Sequence, residues 1–437
     1  MRFRIKIGFG LLGFILTSNL TAQNLTPQSG NVVLTHYMPV FEYKLETGSN
    51  AVPLGFASRF AVGGYVNPDK MAAYHEGLND NNRLGAYQRM SIQLVPFVGL
   101  QKYATVNKQK VSVYYSSETL SGARFTKDAF GLMMRGNTPF LGQEMKVGNN
   151  EIWSLSQRKL KVKFWSWKKQ MAWNVSLSQV VNYSHIRTQD LSLFSDLRGD
   201  SISFDGKISS QNTNYQPSGT GWGLQFGLSK SFDFVRPNGK RWSANFSLQD
   251  FGFVSIHNVK TVSRGVLFDQ NSLKPVEWTG TNTVNLKAVN LNYSDLRAGD
   301  WIDRQRDSVE AKLNFNEINQ RGTILSPFEV VVGLSSIGKG IMKKHLTQNG
   351  YFINLSYRHA LGYVPRLEVG SRWFSKNDVA IMPSVSLGGF DVMDINFSLQ
   401  YKAYVELHLY GMESFIAPSK WHGGGLMLRF RYPFKGS

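Results

Sequence analysis

The sequence predicts an all-β fold, a closed antiparallel β-barrel that spans a membrane. Three observations carry this prediction. Apolar and polar residues alternate with a period of two along much of the chain. The polar positions are mainly Gly, Ser, Asn and Gln, and the N-terminus has the pattern of an export signal. Each observation is taken in turn below.

The N-terminus has the three parts of a secretory signal peptide. Basic residues Arg2, Arg4 and Lys6 precede an apolar stretch over 7–16, and Ala22 offers a cleavage site. This stretch is shorter than the roughly 20 residues that a membrane-spanning helix needs. We expect residues 1–22 to be removed, which lowers the formal charge from +19 to +16 (19 − 3). Residues 23–437 are then expected to form one barrel domain.

The composition excludes several classes of protein. Cysteine is absent, so the chain has neither disulfides nor thiolate metal sites. After residue 22 no stretch offers 18 uninterrupted apolar residues, which argues against a helical membrane protein. The positive charge forms no basic helix or lysine run, so nucleic acid is not an expected partner. Anionic lipid, an anionic solute in a lumen, or dispersed surface charge would each account for it.

Alternation of apolar and polar residues locates the strands. In 222–229, Trp222, Leu224, Phe226 and Leu228 share one face, and smaller polar or glycine residues take the other. Successive side chains of a strand point to opposite faces, so such runs are strands with one apolar face. Short turns such as Pro237-Asn238-Gly239 between runs indicate antiparallel neighbours. Further strands are predicted at 242–249, 351–358 and 395–402, and rougher ones at 54–66, 90–100, 110–117, 151–164, 171–183, 328–335, 366–374, 379–388, 404–410 and 425–434.

Two stretches depart from this pattern. Residues 124–135 form the one helix candidate. Residues 255–322 are richer in Asn, Asp, Arg and Lys and alternate less regularly, so we expect strands there that carry long excursions beyond the membrane.

The type of polar residue indicates which face is enclosed. A soluble β-sandwich buries its apolar face and shows charged side chains to water. A membrane barrel turns its apolar face to lipid and encloses small polar residues. The Gly, Ser, Asn and Gln of the polar faces favour the barrel, as do tryptophans near strand ends, including Trp222 and Trp373. A soluble periplasmic β-protein is the alternative.

Three stretches carry a resemblance to a known family. They are 247–254 with its Asp250-Phe251-Gly252-Phe253 corner, 130–142, and the last strand from Gly423 to Phe434. The sequence resembles an uncharacterised family of Bacteroidota outer-membrane barrels, distantly similar to long-chain fatty-acid transporters and to type IX secretion-associated barrels. This resemblance implies a barrel of about 14 strands in the cell outer membrane, and no established activity. Lys435, Gly436 and Ser437 after the terminal aromatic depart from the commonest pattern of such barrels.

No motif predicts a catalytic, metal or cofactor site. Residues 333–340 approximate a phosphate-binding loop, but Gly340 stands where the motif needs Ser or Thr. The eight histidines form no His-x-x-x-His pair. We therefore expect no enzyme, although a serine–histidine pair assembled from separate strands is left open.

Charged residues near the C-terminus form the candidate site. If the polar faces line a lumen, arginines of neighbouring strands could meet there around one carboxylate. This set would attract an anion or a lipid headgroup, or else form an ion network that stiffens the interior. Its members are Arg358, Arg366, Glu368, Arg372, Arg429 and Arg431. We also predict a plug inside the barrel, made of Pro39, the Glu42–Glu46 segment and the helix candidate.

The function predicted from these features is uptake of apolar or amphipathic small molecules through an outer-membrane barrel. The alternative is a barrel that docks on, or plugs, a protein-secretion translocon. Outer-membrane lipids, an apolar small-molecule ligand and secretion-machinery proteins are the corresponding partners.

Overall fold

The computed structural model describes residues from Val40 to Arg431, with gaps. The described ranges are 40–53, 55–56, 68–94, 105–106, 109–135, 138–166, 170–195, 197, 201–213, 219–235, 241–263, 281–285, 316–337, 350–374, 379–401, 404–417 and 422–431. The predicted signal peptide and Pro39 lie outside them.

Fourteen of the described strands form a closed antiparallel wall, as the sequence predicted. Each strand pairs with the next, and the first pairs with the last, with Val40 opposite Arg431 and Gly48 opposite Gly423. The wall strands are β1 (Val40–Ser49), β2 (Asn82–Leu94), β3 (Gln109–Phe125), β4 (Glu151–Ser166), β5 (Met171–Ser195), β6 (Gly221–Val235), β7 (Arg241–Ser263), β8 (Glu329–Ile337), β9 (Gly350–Arg358), β10 (Val364–Phe374), β11 (Val379–Gly389), β12 (Met393–Tyr401), β13 (Val405–Tyr410) and β14 (Gly423–Arg431).

The remaining described strands and helices are shorter and are not part of this wall. The other described strands are Thr105–Val106, Glu144–Lys146, Ser201–Asn212, Thr281–Asn285 and Asn316–Leu325. The helices are α1 (Pro68–Glu76), α2 (Lys127–Arg135), α3 (Met412–Ile416) and a 3-10 turn at Thr138–Phe140. None of the helices in the described ranges is long and apolar enough to cross a membrane.

The apolar faces of the strands point outward. Trp222, Leu224 and Phe226 on β6 are 50%, 50% and 51% exposed, whereas Gln225 between them is fully buried. On β9, Ile353 is exposed and Asn354 is buried. An apolar exterior around a polar interior is the arrangement of a membrane barrel and the reverse of a soluble sandwich. The predicted orientation of the faces is confirmed, and the soluble alternative is wrong.

The two ends of the barrel differ. At the terminal end β1 begins and β14 finishes. At the opposite end, which we call the loop end, lie α1, α2 and α3 and the turns 359–363 and 390–392. β5 and β7 extend past their neighbours there, to 25 and 23 residues. The outer part of β7 pairs with Asn316–Leu325, so the ends of the predicted 255–322 excursion are strands. The middle of that excursion is described only at 281–285.

Two sequence predictions need correction and one is confirmed. The Glu42–Glu46 segment is not a plug, because it lies within β1 and pairs with both β2 and β14. The strand predicted over 54–66 is wrong at Gly55 and Phe56, which are helical, and the rest of it lies outside the described ranges. The helix predicted over 124–135 is confirmed from Lys127 onward as α2, whereas Arg124 and Phe125 belong to β3; α2 lies at the loop end and packs Phe130 against Phe56 and Leu78.

Candidate functional site: the closed lumen

A network of ion pairs crosses the lumen, with Glu46 of β1 at its centre. Its carboxylate lies 3.1 Å from Lys44 Nζ, 3.3 Å from Arg358 Nη1 and 3.0 Å from Arg366 Nη1. The two arginines belong to β9 and β10, whereas the neighbours of β1 in the wall are β2 and β14. These contacts therefore join opposite sides of the barrel.

Secondary partners balance the two arginines. Arg358 lies 2.9 Å from Glu329 and stacks over the Tyr87 ring at 3.9 Å. Arg366 lies 3.5 Å from Asp394 and donates to Ser386 Oγ at 2.8 Å. Buried charges are tolerated only when paired and hydrogen-bonded in this way.

A second group of ion pairs continues the network on the other side. Lys159 lies 2.7 Å from Glu118 and 2.9 Å from Asp250, and Lys161 lies 2.7 Å from Asp250. Arg89 lies 3.3 Å from Glu118. Asp250 has a left-handed backbone with φ of 59°, at the register shift between Leu248 and Phe251. A bulge of this kind re-aims one side chain, here the carboxylate between two lysines.

We call these two groups together the ion-pair belt. Its members are Lys44, Arg89, Lys159, Lys161, Arg358 and Arg366, with Glu46, Glu118, Glu329, Asp250 and Asp394. Within the described lumen, a cavity bounded by belt residues and Tyr87 has a volume of about 20 Å³. That is room for about one water molecule.

A further set of charges lies nearer the terminal end. Arg429 is held by two carboxylates, with Nη2 2.7 Å from Glu42 and Nη1 2.6 Å from Glu406. Arg431 lies 3.4 Å from Glu406. Lys163 lies beyond Lys161 on β4 towards this end of the barrel. Arg372 is likewise beyond Arg366 on β10, with its Nε donating to the Met382 sulfur at 3.3 Å. We call Lys163, Arg372, Arg429 and Arg431, with Glu42 and Glu406, the cationic layer.

One serine–histidine pair is brought together beside this layer. His408 Nδ1 is hydrogen-bonded to Ser398 on the neighbouring strand, and His408 Nε2 lies 2.9 Å from Glu406 Oε1. Ser398 is 6% exposed and His408 8%. The other Glu406 oxygen is shared by Arg429 and Arg431. Because Ser398 is enclosed, we interpret the hydrogen bonds from Ser398 through His408 to Glu406 as a support that orients the Glu406 carboxylate.

Two turns fold into the loop end of the lumen and dock on the opposite wall. Gly423, Gly48, Gly85 and Gly122 pair with one another in a row across β14, β1, β2 and β3. A Cβ on Gly85 would come within 1.9 Å of the Phe390 ring, and one on Gly122 within 1.9 Å of the Leu361 carbonyl oxygen. The four glycines, which we call the glycine row, therefore leave the space that the turns 359–363 and 390–392 occupy.

Apolar and polar contacts hold the turns in place. Tyr363 and Phe390 pack edge to face with ring centroids 5.0 Å apart, and both join Tyr87 and Leu120 in a buried cluster. Arg83 of β2 donates to the Asp391 carbonyl at 3.0 Å. The docked turns cover the belt on the loop side.

The Asp391 carboxyl is enclosed where the second turn docks. It is 5% exposed, and its Oδ2 has no hydrogen-bond partner among the described residues. Burial, together with the nearby Asp394 carboxylate, raises the pKa of Asp391 to about 7.

The predicted site residues are divided among these structures. Arg358 and Arg366 meet at Glu46 in the belt, and Arg429 and Arg431 meet at Glu406. Glu368 accepts a hydrogen bond from Ser384 at 2.6 Å, and Arg372 contacts Met382. Their role in attracting an anion stays a prediction.

Sequence reasoning missed Glu46 and Glu42 as partners because it placed them in a plug. It also missed the lysines of β4. The run Lys159-Leu160-Lys161-Val162-Lys163 did alternate, and could have marked three inward charges.

No family model and no curated protein matches the chain. Among solved structures, it is similar to the translocator domain of autotransporter NalP from Neisseria meningitidis, at 9% identity and a TM-score of 0.33, over 92% of this chain and 91% of that one. It is similar to the toluene transporter TodX of Pseudomonas putida at 8% identity and a TM-score of 0.34, over 94% of both chains. For Pseudomonas putida OprB the values are 8% and 0.28, over 91% and 94%. Likeness at this level says nothing about what the barrel carries, so the fold assignment depends on the strand pairing itself.

Proposed function

We propose that this protein is an outer-membrane channel or transporter for small solutes whose passage is shut by its two inward turns. The observation that supports the proposal is which parts of the protein obstruct the lumen. In the described residues these are two short turns and the belt side chains next to them, while the wall remains a continuous barrel. The predicted export signal, together with a closed barrel whose apolar face is outward, supports an outer-membrane location.

The belt and the turns are joined in a way that suits a gate. Arg358 immediately precedes the first turn and Arg366 follows it, while Asp394 follows the second turn. Movement of the turns off the glycine row would disturb the ion pairs of Arg358 and Arg366 with Glu46, and that of Arg366 with Asp394. Besides these ion pairs, the contacts to be broken are the packing of the turns on the glycine row, the cluster of Tyr363 and Phe390 with Tyr87 and Leu120, and one hydrogen bond from Arg83. None of them is a hydrogen bond between wall strands.

The charged lumen bears on the solute. A purely apolar molecule would have to pass the belt and the cationic layer without compensating their charges, which is costly. An amphipathic solute with an ionic group could pair with the charges of the belt and of the cationic layer as it passes them. Within the predicted class of apolar or amphipathic molecules, we propose the amphipathic ones.

Conductance of the purified barrel in planar bilayers tests this function. Phe390→Ala combined with Tyr363→Ala removes the two rings that dock the turns, and we expect open-channel events to become at least tenfold more frequent. Phe140→Ala is the matched control, because this ring is also buried but lies in the cluster with Met145 and Val147 near α2.

A disulfide provides the opposite perturbation. A Cβ on Gly48 would lie 3.2 Å from the Asp391 Cβ and 2.9 Å from the Asp391 nitrogen, so a small outward shift of the turn is needed to reach ordinary disulfide spacing. Oxidised Gly48→Cys/Asp391→Cys should stay shut, and reduction should restore opening. Double-alanine protein that is folded but conducts no more than wild type would exclude gating by the turns.

A second function, docking on a secretion translocon, is favoured by the unusual length of the strands β5 and β7 on one side of the barrel. A strand needs about 9–11 residues to cross a bilayer. β5 and β7 have 25 and 23, and their outer parts pair with Ser201–Asn212 and Asn316–Leu325. This sheet extension offers a surface beyond the membrane. In-cell cross-linking from the extension, compared with a variant in which the paired segments 259–263 and 316–320 are removed, tests it. A cross-link to secretion machinery that is lost while conductance is kept would favour docking.

A further inference from the structure

We infer that Arg83 of β2 and Arg124 of β3 form a binding site for an oxyanion, the carboxylate or phosphate group of a solute that enters from the loop end. The inference rests on the proposed function, since it names the ionic group by which the solute is recognised. It can be tested in the closed barrel without any transport.

The first argument is the position of the two arginines. They are directly opposite each other in the pairing of β2 with β3, two residues beyond Gly85 and Gly122, which are also opposite each other. Side chains two residues apart in a strand share a face, so both arginines are on the same face as the glycine row. The pair therefore lies at the rim of the lumen on the loop side.

Contacts with both turns support this position. Arg83 Nη2 donates to the Asp391 carbonyl oxygen of the second turn at 3.0 Å. A Cβ on Gly362 of the first turn would lie 3.3 Å from the carbonyl oxygen of Ala123, the residue before Arg124. A solute that binds the two arginines from the loop end would therefore lie next to the turns that close the lumen.

The second argument is that the pair holds two like charges together. Directly opposite residues of antiparallel strands have Cβ atoms about 4.5–5.5 Å apart, and like charges in such a pair destabilise the sheet. The charges that act on Arg83 are those of Asp391 and Arg124, and the charge of Arg124 is repulsive. The Arg83 Nε is buried and has no hydrogen-bond partner in the described part of the chain. An anion between the two guanidinium groups would offset the repulsion and offer Arg83 an acceptor.

The third argument is that neighbouring strands do not neutralise the pair. Glu151 of β4 is opposite Arg124, but its Oε1 lies 2.9 Å from His185 Nε2. Arg187 of β5 is opposite Glu151 in turn, so the row across the four strands has three arginines and one glutamate. Neither Arg83 nor Arg124 forms an ion pair with a carboxylate of the described ranges.

The carboxylates beneath the rim are engaged elsewhere. Asp391 Oδ1 accepts a backbone N–H at 2.6 Å, and its carboxyl is enclosed. Asp394 lies 3.5 Å from Arg366, and Glu413 accepts a backbone N–H at 2.9 Å. Of these three carboxylates, only that of Asp391 acts on Arg83.

The chemistry of the pair selects an oxyanion. Guanidinium groups are planar and bind carboxylate or phosphate oxygens through paired N–H donors. Arg124 is exposed and Arg83 is half-buried, so both can be reached from the loop end.

Isothermal titration of the full barrel in a non-ionic detergent tests the site. The probes are inorganic phosphate, acetate and hexanoate, with hexyltrimethylammonium as the cationic counterpart of hexanoate and chloride at equal ionic strength as background. The test variant is Arg124→Gln, which leaves the hydrogen bond from Arg83 to the second turn in place. Arg124→Lys keeps the charge without the paired donors. The control is Arg321→Gln, which removes an exposed arginine on the strand Asn316–Leu325.

We expect phosphate, acetate or hexanoate to bind wild type and the control alike. Binding to Arg124→Gln should be about tenfold weaker, because hydrogen bonds to a charged group are lost, and binding to Arg124→Lys should be intermediate. Binding of hexanoate tighter than that of acetate and phosphate would support an amphipathic carboxylate as the ligand, and tighter binding of phosphate would support a phosphate group.

Three results would overturn the inference. They are equal affinity of wild type and Arg124→Gln, no binding of any of the anions, and binding of hexyltrimethylammonium as tight as that of hexanoate. A barrel that binds the anion through Arg124 but never conducts would refute the proposed function alone.

Discussion

Removing the Asp391 carboxyl should make docking of the second turn independent of pH. This carboxyl is enclosed against the glycine row. Two further carboxylates lie nearby, Asp394 at the start of β12 and Glu413 on α3. The facing cations are Arg83, which binds its carbonyl, and Arg366, which lies 3.5 Å from Asp394. Asp391→Asn keeps the shape of the side chain and removes its ability to ionise.

The sign and size of the effect follow from the pKa of Asp391. Burial raises it from 3.8 to about 7 when the turn is docked. A raised carboxyl pKa means that docking favours the protonated form, so this stabilisation is full below about pH 4 and is lost as the pH rises through about 7. This difference between the pKa values of the docked and the free carboxyl corresponds to ~4 kcal/mol. This is an upper limit, because Asp391 and Asp394 titrate together.

Pulsed electron paramagnetic resonance can follow the turn directly, since the chain has no cysteine of its own. Spin labels at Asp80→Cys and Val392→Cys place one probe beside β2 and one on the turn, both at exposed positions. We expect a short distance at pH 5 and an added longer population at pH 8, and only the short distance in Asp391→Asn at both pH values. Asp69→Asn, at an exposed site on α1, is the control. An unchanged distance between pH 5 and pH 8 in wild type would refute the reasoning.

Three further predictions concern the belt, the glycine row and the lipid face. Glu46→Gln leaves three buried cations without their shared carboxylate and should lower the free energy of unfolding by about 3–5 kcal/mol. Denaturant titration in detergent measures this change, and Glu144→Gln, at an exposed position, should have no effect. Gly85→Leu should displace the Phe390 ring and raise conductance, whereas Gly322→Ala, with open space around its Cβ, should not. Equal conductance of the two variants would contradict docking of the turns on the glycine row. Leu224→Lys places a charge on the lipid face and should destabilise the barrel by about 2–4 kcal/mol in liposomes, and a neutral result would contradict the orientation of β6.

The wall and its orientation could be predicted from sequence because both depend on local pattern. A strand alternates its side chains, so Trp222, Leu224 and Phe226 had to share a face. The small polar residues opposite them indicated an enclosed side, and the exposures confirm it. β1 was predicted less well, although Glu42, Lys44 and Glu46 also alternate with apolar residues. The segment was predicted as part of a plug because a wide barrel needs its interior filled, and pairing with β14 at the far end of the chain is not visible locally.

The candidate site was predictable only as a list of inward charges. Which of them meet depends on the register of 14 strands and on the tilt that closure imposes, and neither is written in any single segment. Glu46 and Arg358 are 312 residues apart in sequence and 3.3 Å apart in space. Alternation along the strands was enough to predict a polar interior and the side chains that point into it. The docking of two turns on a row of glycines could be seen only in the folded barrel, because that contact depends on space left by the absence of side chains on a distant part of the wall.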